Sequence, residues 1–278
     1  METLRMENSE LAIFSKVEEE GLVEMKKHIE DYLIGEKLKK DSCPKVSQFL
    51  EKAKLDNQLL LDYVQARKNN VDCAWDTLKM YAENRFKHYP EVFPNEVPRD
   101  LIHDLVGRQL LGVLKNRDKF GRRIVFFDMT KWDINHISLD DLTMAGTIAA
   151  DIFWRDPEVL EGGIVVVENT IGFGLGHAKQ HTMGRMLRMR NVFVQSFPIS
   201  LQGIFYLQMP YLFTLVFKMS KHLFPKKVRS RMFCYSSNQE PTELYDIAPP
   251  EILPEWMGGK LSIEEAAEGQ EFYEKFFT

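Results

Sequence analysis

Apolar residues in the first third of the chain recur only at helical spacing. Leu22, Met25, Ile29 and Leu33 form one such row, Leu59, Leu60, Tyr63 and Val64 a second, and Ala74, Trp75, Leu78, Tyr81 and Ala82 a third. Breaks at Asp41-Ser42-Cys43-Pro44 and Asn69-Asn70 separate the rows, so residues 1–97 are expected to form a small helical bundle. Pro90, Pro94 and Pro98 in YPEVFPNEVP mark the linker out of it.

Beyond Pro98 the pattern changes. Short apolar runs bounded by Gly, Pro or Ser predict strands at Arg122 to Asp128, Gly163 to Glu168, Gly203 to Leu207 and Met232 to Tyr235. Helical stretches are predicted between them, at about 138–155, 177–195 and 210–224. Alternation of this kind argues an α/β domain over residues 98–278, with a mixed, mostly parallel sheet and helices packed against it.

Composition narrows the class. At 278 residues and 44% hydrophobic, the chain can fill a substantial core. Three scattered cysteines, Cys43, Cys73 and Cys234, suggest neither a disulfide framework nor a zinc site and favour a reducing, cytoplasmic setting. The acidic N-terminus does not read as a targeting segment. The longest uncharged run, Asn191 to Phe217, contains Pro198, Pro210, three glutamines and two serines, so it reads as buried structure with no transmembrane segment. Net charge is −5, yet no Asp or Glu occurs between Asn169 and Gln239, where ten lysines and arginines stand. That asymmetry points to a basic surface meeting nucleic acid, phospholipid headgroups or a phosphorylated ligand.

The stretch GGIVVVENTIGFGLGHAK raises the question of a dinucleotide site, because a strand, a glycine-rich turn and a helix follow one another. His177 stands where the fingerprint needs its third glycine, and the next carboxylate after Glu168 is Glu240, too far on to hold a ribose. Arg188 or Arg190 would have to accept an NADP phosphate instead. No nucleophile elbow, P-loop or H-E-x-x-H is present, and His177 with His181 lacks a third metal ligand. No enzyme activity, cofactor or metal is therefore expected.

The helix after Pro210, YLFTLVFKMSKHLF, carries one row of Leu212, Val216, Met219 and Leu223 and another of Phe213, Phe217 and Phe224. Such a helix is either plainly buried or covers an apolar ligand on one side and meets a membrane or core on the other. PKKVRSR follows, where Lys227 and Arg231 at i, i+4 can point at one phosphate.

From about Leu55 to Gly259 the chain resembles the CRAL-TRIO lipid-binding family, particularly its tocopherol-transfer and retinaldehyde-binding branch. The resemblance is carried by LLLDYVQARKNNVDCAWDTLKMY, DKFGRRIVFFDMTKWD, GIVVVENTIGFGLGHA, QSFPISLQGIFYLQMP, FKMSKHLFPKKVRSRMFCYSS and PEILPEWMGG, in that order. It implies an N-terminal helical bundle and an α/β domain whose sheet floors a hydrophobic pocket under a mobile lid helix, here Pro210 to Leu223. The implied pocket positions are Gly146, Ala150, Ile164, Glu168, Val192, Phe193 and Ile204, with Phe213 and Phe217 on the lid. Independently, Ile164, Val166 and Glu168 share one strand face by period two. A large apolar residue would be expected at Glu168. A carboxylate in a dry cavity must be neutral, paired or wet, so it meets a polar group of the ligand or a partner within the protein. Gly146 and Ala150, both small, would leave room for a bulky ligand. The implied phosphoinositide clamp is half retained: Lys227 and Arg231 match, Lys226 and Arg229 stand near, and Ser200 and Gln202 replace basic residues.

The expected function is that of a soluble, non-catalytic carrier, reversibly membrane-associated, which moves a tocopherol, retinoid or similar lipophile between membranes and docks on anionic, phosphoinositide-containing surfaces. The rival readings are a phosphoinositide-responsive adaptor or phosphatidylinositol-type phospholipid transfer protein, and an NADP oxidoreductase.

Overall fold

Four helices realise the periodicity of the first part of the chain: α1 (Lys16–Lys37), α2 (Pro44–Ala53), α3 (Asn57–Ala66) and α4 (Val71–Glu83). The computed structural model describes residues 16–274. Two units are distinguished, one ending at Trp75 and the other beginning at Asp76. In the first, Leu22, Met25 and Ile29 of α1 are buried, as are Val46 and Leu50 of α2 and Leu60, Leu61 and Val64 of α3. Pro44 opens α2, where its missing N–H costs nothing, and the Asp56 carboxylate caps α3 by accepting from the Leu59 N–H at 3.0 Å.

The second unit is built on one sheet. After α5 (Arg99–Gly107), the chain runs β1 (Leu111–Val113), β2 (Arg123–Asp128), α6 (Leu139–Phe153), α7 (Pro157–Gly162), β3 (Ile164–Asn169), α8 (Leu175–Gln180), α9 (Met183–Arg190), β4 (Leu201–Leu207), α10 (Tyr211–Ser220), α11 (Lys226–Arg229) and β5 (Met232–Cys234). The strands lie in the order β1-β2-β3-β4-β5; β1 is antiparallel to β2 and the other pairs are parallel. The four expected strands are present in a mixed, mostly parallel sheet. β1 was not expected, because three residues are too few to show alternation.

One expected helix and the expected linker differ in detail. The stretch 177–195 breaks at His181 and Thr182, where the Thr182 hydroxyl accepts from the Arg185 N–H at 3.3 Å and starts α9 afresh. It ends in a wider π-helical turn over Asn191–Ser196. The proline-rich run after Tyr89 is packed within this second unit. Val92 and Phe93 are buried, the Thr147 hydroxyl donates to the Val92 carbonyl, and the Phe93 ring lies 6.1 Å from that of Phe197.

A parallel sheet must be covered on both faces. One face is sealed: Ile124, Phe126, Val165, Val167 and Phe205 pack against Leu244, Leu253 and Met257 of the C-terminal stretch. On the other face Val125, Phe127, Ile164, Val166, Glu168 and Tyr206 are only half-buried, and along β2 and β3 they alternate strictly with the sealed positions. At the strand ends, buried Asp128 accepts from Asn169 Nδ2 at 2.9 Å, and Thr170 Oγ1 donates to the Leu207 carbonyl at 2.9 Å, which ties β2, β3 and β4 together.

Gly163 sets the entry of β3. Its φ is +78°, and a Cβ there would lie 2.1 Å from the Ser200 carbonyl oxygen, which accepts the Ile164 N–H at 3.0 Å. Gly163→Ala is expected to cost about 3 kcal/mol of stability in urea unfolding. A loss below about 1 kcal/mol would contradict the close approach of these two backbones.

Candidate functional site

The half-buried face of the sheet borders a cavity of ≈ 300 Å³. Period two brings Val125, Phe127, Ile164, Val166, Glu168, Ile204 and Tyr206 to its floor. α6 contributes Leu142, Gly146, Ala149, Ala150 and Phe153, and the stretch from α9 through the π-helical turn contributes Met189, Phe193 and Val194. α6 is held by a reciprocal cap: the Ser138 hydroxyl accepts from the Asp141 N–H at 3.1 Å, and the Asp141 carboxylate accepts from the Ser138 N–H at 2.8 Å.

Seven of the ten ligand positions expected from the sequence line this cavity: Gly146, Ala150, Ile164, Val166, Glu168, Phe193 and Ile204. Val192 is fully buried beside it and does not line it. Phe213 and Phe217 stand one layer further out, with ring centroids 5.5 and 5.1 Å from that of Tyr206. Gly146 does not leave the room expected of it. A Cβ there would lie 2.7 Å from the Phe193 ring, so the space over Gly146 is already filled by that ring.

Polar groups in the cavity are few. The side chain of Glu168 makes no hydrogen bond or ion pair with any described residue, and its removal from water pushes its pKa from 4.5 up to about 7. It lies in register with Phe127 on one side and Tyr206 on the other. Burial, and then the neighbouring Glu168, raise the Tyr206 hydroxyl well above its ordinary value. His181 also faces the cavity; burial lowers its pKa, and its Nδ1 lies 2.8 Å from the His177 carbonyl. Tyr206, His181 and Trp132 were not expected as lining residues. For Tyr206 the signal was available, since it shares a strand face with Ile204.

The helix after Pro210 is not apolar and buried all round. Phe213 is buried against Phe173 and Met129, with Leu212, Val216 and Phe217 packed around them. Tyr211 and Met219 are 78% and 67% exposed, so Met219, expected in the row of Leu212 and Val216, faces outward instead. The basic segment divides as well. Arg185 and Arg188 bind Asp140, and Arg188 also binds Glu91 at 3.0 Å. Lys226, Lys227 and Arg229 of α11 make no ion pair with any described residue, and the Arg231 guanidinium donates to the Leu201 carbonyl. Ser200 and Gln202 bond one another at 3.2 Å.

The glycine-rich turn holds no phosphate cradle. His177 Nδ1 accepts the Gly174 N–H at 3.1 Å, so the short α8 is capped by its own histidine, whose Nε2 lies 3.3 Å from the Trp132 carbonyl. Among the described residues neither His177 nor His181 belongs to a group of three metal-ligating side chains.

Residues 107–259 match the family model for the CRAL/TRIO domain. The chain belongs to the CRAL/TRIO domain family. This CRAL/TRIO protein is 26% identical over 212 residues to rat Clavesin-1 and 27% identical over 213 residues to human Clavesin-2, in each case over 74% of its own length. It spans 58% and 62% of those two relatives. Its fold is that of Sfh5, a crystal structure matched at a TM-score of 0.57 and 13% identity over 92% of both chains. CRAL/TRIO domains bind hydrophobic small molecules or lipids. No helix among the described residues is long and apolar enough to cross a membrane.

Glu168 makes a pH signature. With a folded pKa raised to about 7 from 4.5, the folded state holds this proton more tightly than the unfolded chain, so stability is lost as pH rises from about 4.5 through 7. Glu168→Gln is expected to match the parent near pH 4.5 and to exceed it by about 3 kcal/mol near pH 8 in denaturant unfolding. A difference that does not change with pH would contradict the dry, unpaired environment of this carboxyl.

Proposed function

We propose that this CRAL/TRIO protein carries one small, neutral lipophile in the cavity beneath α10 and exchanges it with anionic membranes. A tocopherol, a retinoid or another isoprenoid or sterol is the intended class of cargo. The observation that supports this reading most is the cavity itself: an apolar chamber whose few polar groups include no lysine or arginine. A lipid phosphate enclosed there would meet Glu168 and no cation. A phosphatidylinositol-type cargo would therefore have to keep its headgroup outside.

Enclosing on the order of 400 Å² of apolar surface is worth roughly 10 kcal/mol gross at ~25 cal/mol per Å², before the entropy of capture. A bilayer offers nearly the same shelter, so selectivity falls to shape and to polar contacts with Glu168 and Tyr206. Entry falls to α10. Its inner side, Phe213 and Phe217, closes against Tyr206. Its outer side presents Tyr211, Leu215 and Met219, next to the exposed Lys218. With Lys226 and Lys227 close by in sequence, this surface suits docking on an anionic leaflet, where each cation contributes on the order of 1 kcal/mol. Docking would draw α10 outward and open the cavity.

In fluorescence transfer between vesicles, Phe213→Asp with Phe217→Asp is expected to abolish delivery of a bound lipophile while the circular dichroism of the fold is kept. Unchanged transfer would sink the assignment of α10 as the cover. Lys226→Ala with Lys227→Ala breaks no ion pair among the described residues and is expected to slow transfer to anionic vesicles about tenfold and to flatten its salt dependence. Equal slowing with neutral vesicles would contradict an electrostatic role.

A further inference from the structure

A second cleft, ≈ 550 Å³ in volume, lies among the last turns of α6, the start of β2, the Pro94–Val97 segment and Phe272 near the C-terminus. Three arginines reach it, and two of them pair with carboxylates, Asp151 and Asp156, that line the cleft as well. Arg85 Nη1 lies 2.7 Å from Asp151 Oδ2 and donates to the Tyr81 hydroxyl at 3.0 Å, while that hydroxyl donates to Asp151 Oδ1 at 2.8 Å. Arg123 Nε donates to Asp156 Oδ2 at 3.0 Å, and its guanidinium lies 5.4 Å from the Phe272 ring centroid. The guanidinium of Arg155, an exposed residue, makes no hydrogen bond or ion pair among the described residues and rests 5.3 Å from the Trp154 ring centroid.

Each guanidinium carries five N–H donors. Arg85 bonds through Nη1 alone and Arg123 through Nε alone, so most of their donors have no protein acceptor among the described residues. The aspartates fix the orientation of these forks without using them up. Against Asp151 and Asp156 the three arginines leave about one positive charge, which matches a monoanion better than a dianionic phosphate. Apart from Asn95, the rest of the cleft is apolar: Val97, Ile148, Ile152 and Phe272 line it, and Phe153 lines both this cleft and the sheet-floored cavity.

We propose that this cleft is a second ligand site, for a small molecule with an apolar body and a single carboxylate. The carboxylate engages the open edges of Arg123 and Arg155, and the body lies on Phe272 and Ile152. The site is separate from the cavity under α10 and does not depend on what that cavity carries.

The test titrates the full chain with octanoate, with 1-octanol as the uncharged control and inorganic phosphate as a competitor, by calorimetry and by nuclear Overhauser contacts to assigned aromatic side chains. Octanoate is expected to bind at least about tenfold more tightly than octanol, to contact Phe272, and to lose about tenfold in affinity in Arg155→Glu and less in Arg155→Lys. Arg155 makes no ion pair among the described residues, so both variants should unfold at the parent's temperature; if Arg155→Glu does not fold, Arg155→Ala supplies the same reading. Equal binding of octanol and octanoate, contacts to Tyr206 instead of Phe272, or affinity unchanged by the Arg155 variants would each overturn the proposal. Displacement of octanoate by lower concentrations of phosphate would replace the carboxylate with a phosphate and overturn the assigned chemistry.

Discussion

A mostly parallel sheet has two apolar faces, and neither tolerates water. Here the C-terminal stretch seals one face with Leu244, Leu253 and Met257, while α6 and the turn after α9 stand off the other and leave it hollow. The remaining features depend on that asymmetry. Alternate residues of β2 and β3 are sealed or half-buried according to the face they occupy, and the parallel register sets Phe127, Glu168 and Tyr206 side by side on the hollow one. The hollow face in turn needs a cover, a role that the proposed function gives to α10, whose Phe213 and Phe217 pack against Tyr206.

Glu168 concentrates the physical tension of the site. Its carboxyl makes no hydrogen bond or ion pair among the described residues, and its removal from water pushes its pKa up to about 7. A group in that state can donate or accept a hydrogen bond without bringing a full charge into the chamber. It suits a hydroxyl or carbonyl on an otherwise apolar molecule, and Tyr206 beside it offers the complementary hydroxyl. The same tension reaches the cover, since the Tyr206 ring stands between Glu168 and the two phenylalanines of α10.

Much of this was legible in the chain. Ile164, Val166 and Glu168 at alternate positions fix one strand face, and Ile204 with Tyr206 repeats the rule on the next parallel strand, although Ile204 came from the family resemblance and Tyr206 was not named. The apolar helix after Pro210 and the basic run behind it were equally plain. What was not legible is long-range. Nothing local tells that Arg185 and Arg188 are engaged by Asp140 and Glu91, or that the ring filling the space above Gly146 comes from Phe193. β1 escaped because three residues carry no period. The arginine-lined cleft escaped because Arg85, Arg123 and Arg155 come from three separated stretches that only the fold assembles.

The central claim is that the hollow face of the sheet holds one neutral lipophile. Native mass spectrometry of the full chain, purified from cells without detergent and followed by organic extraction, tests it most directly. One uncharged, apolar molecule of defined mass per chain, lost when Phe213 and Phe217 are both replaced by aspartate, is the expected result. A chain that emerges empty and then takes up no neutral lipophile from vesicles, or that carries only a phosphorylated lipid, would contradict it.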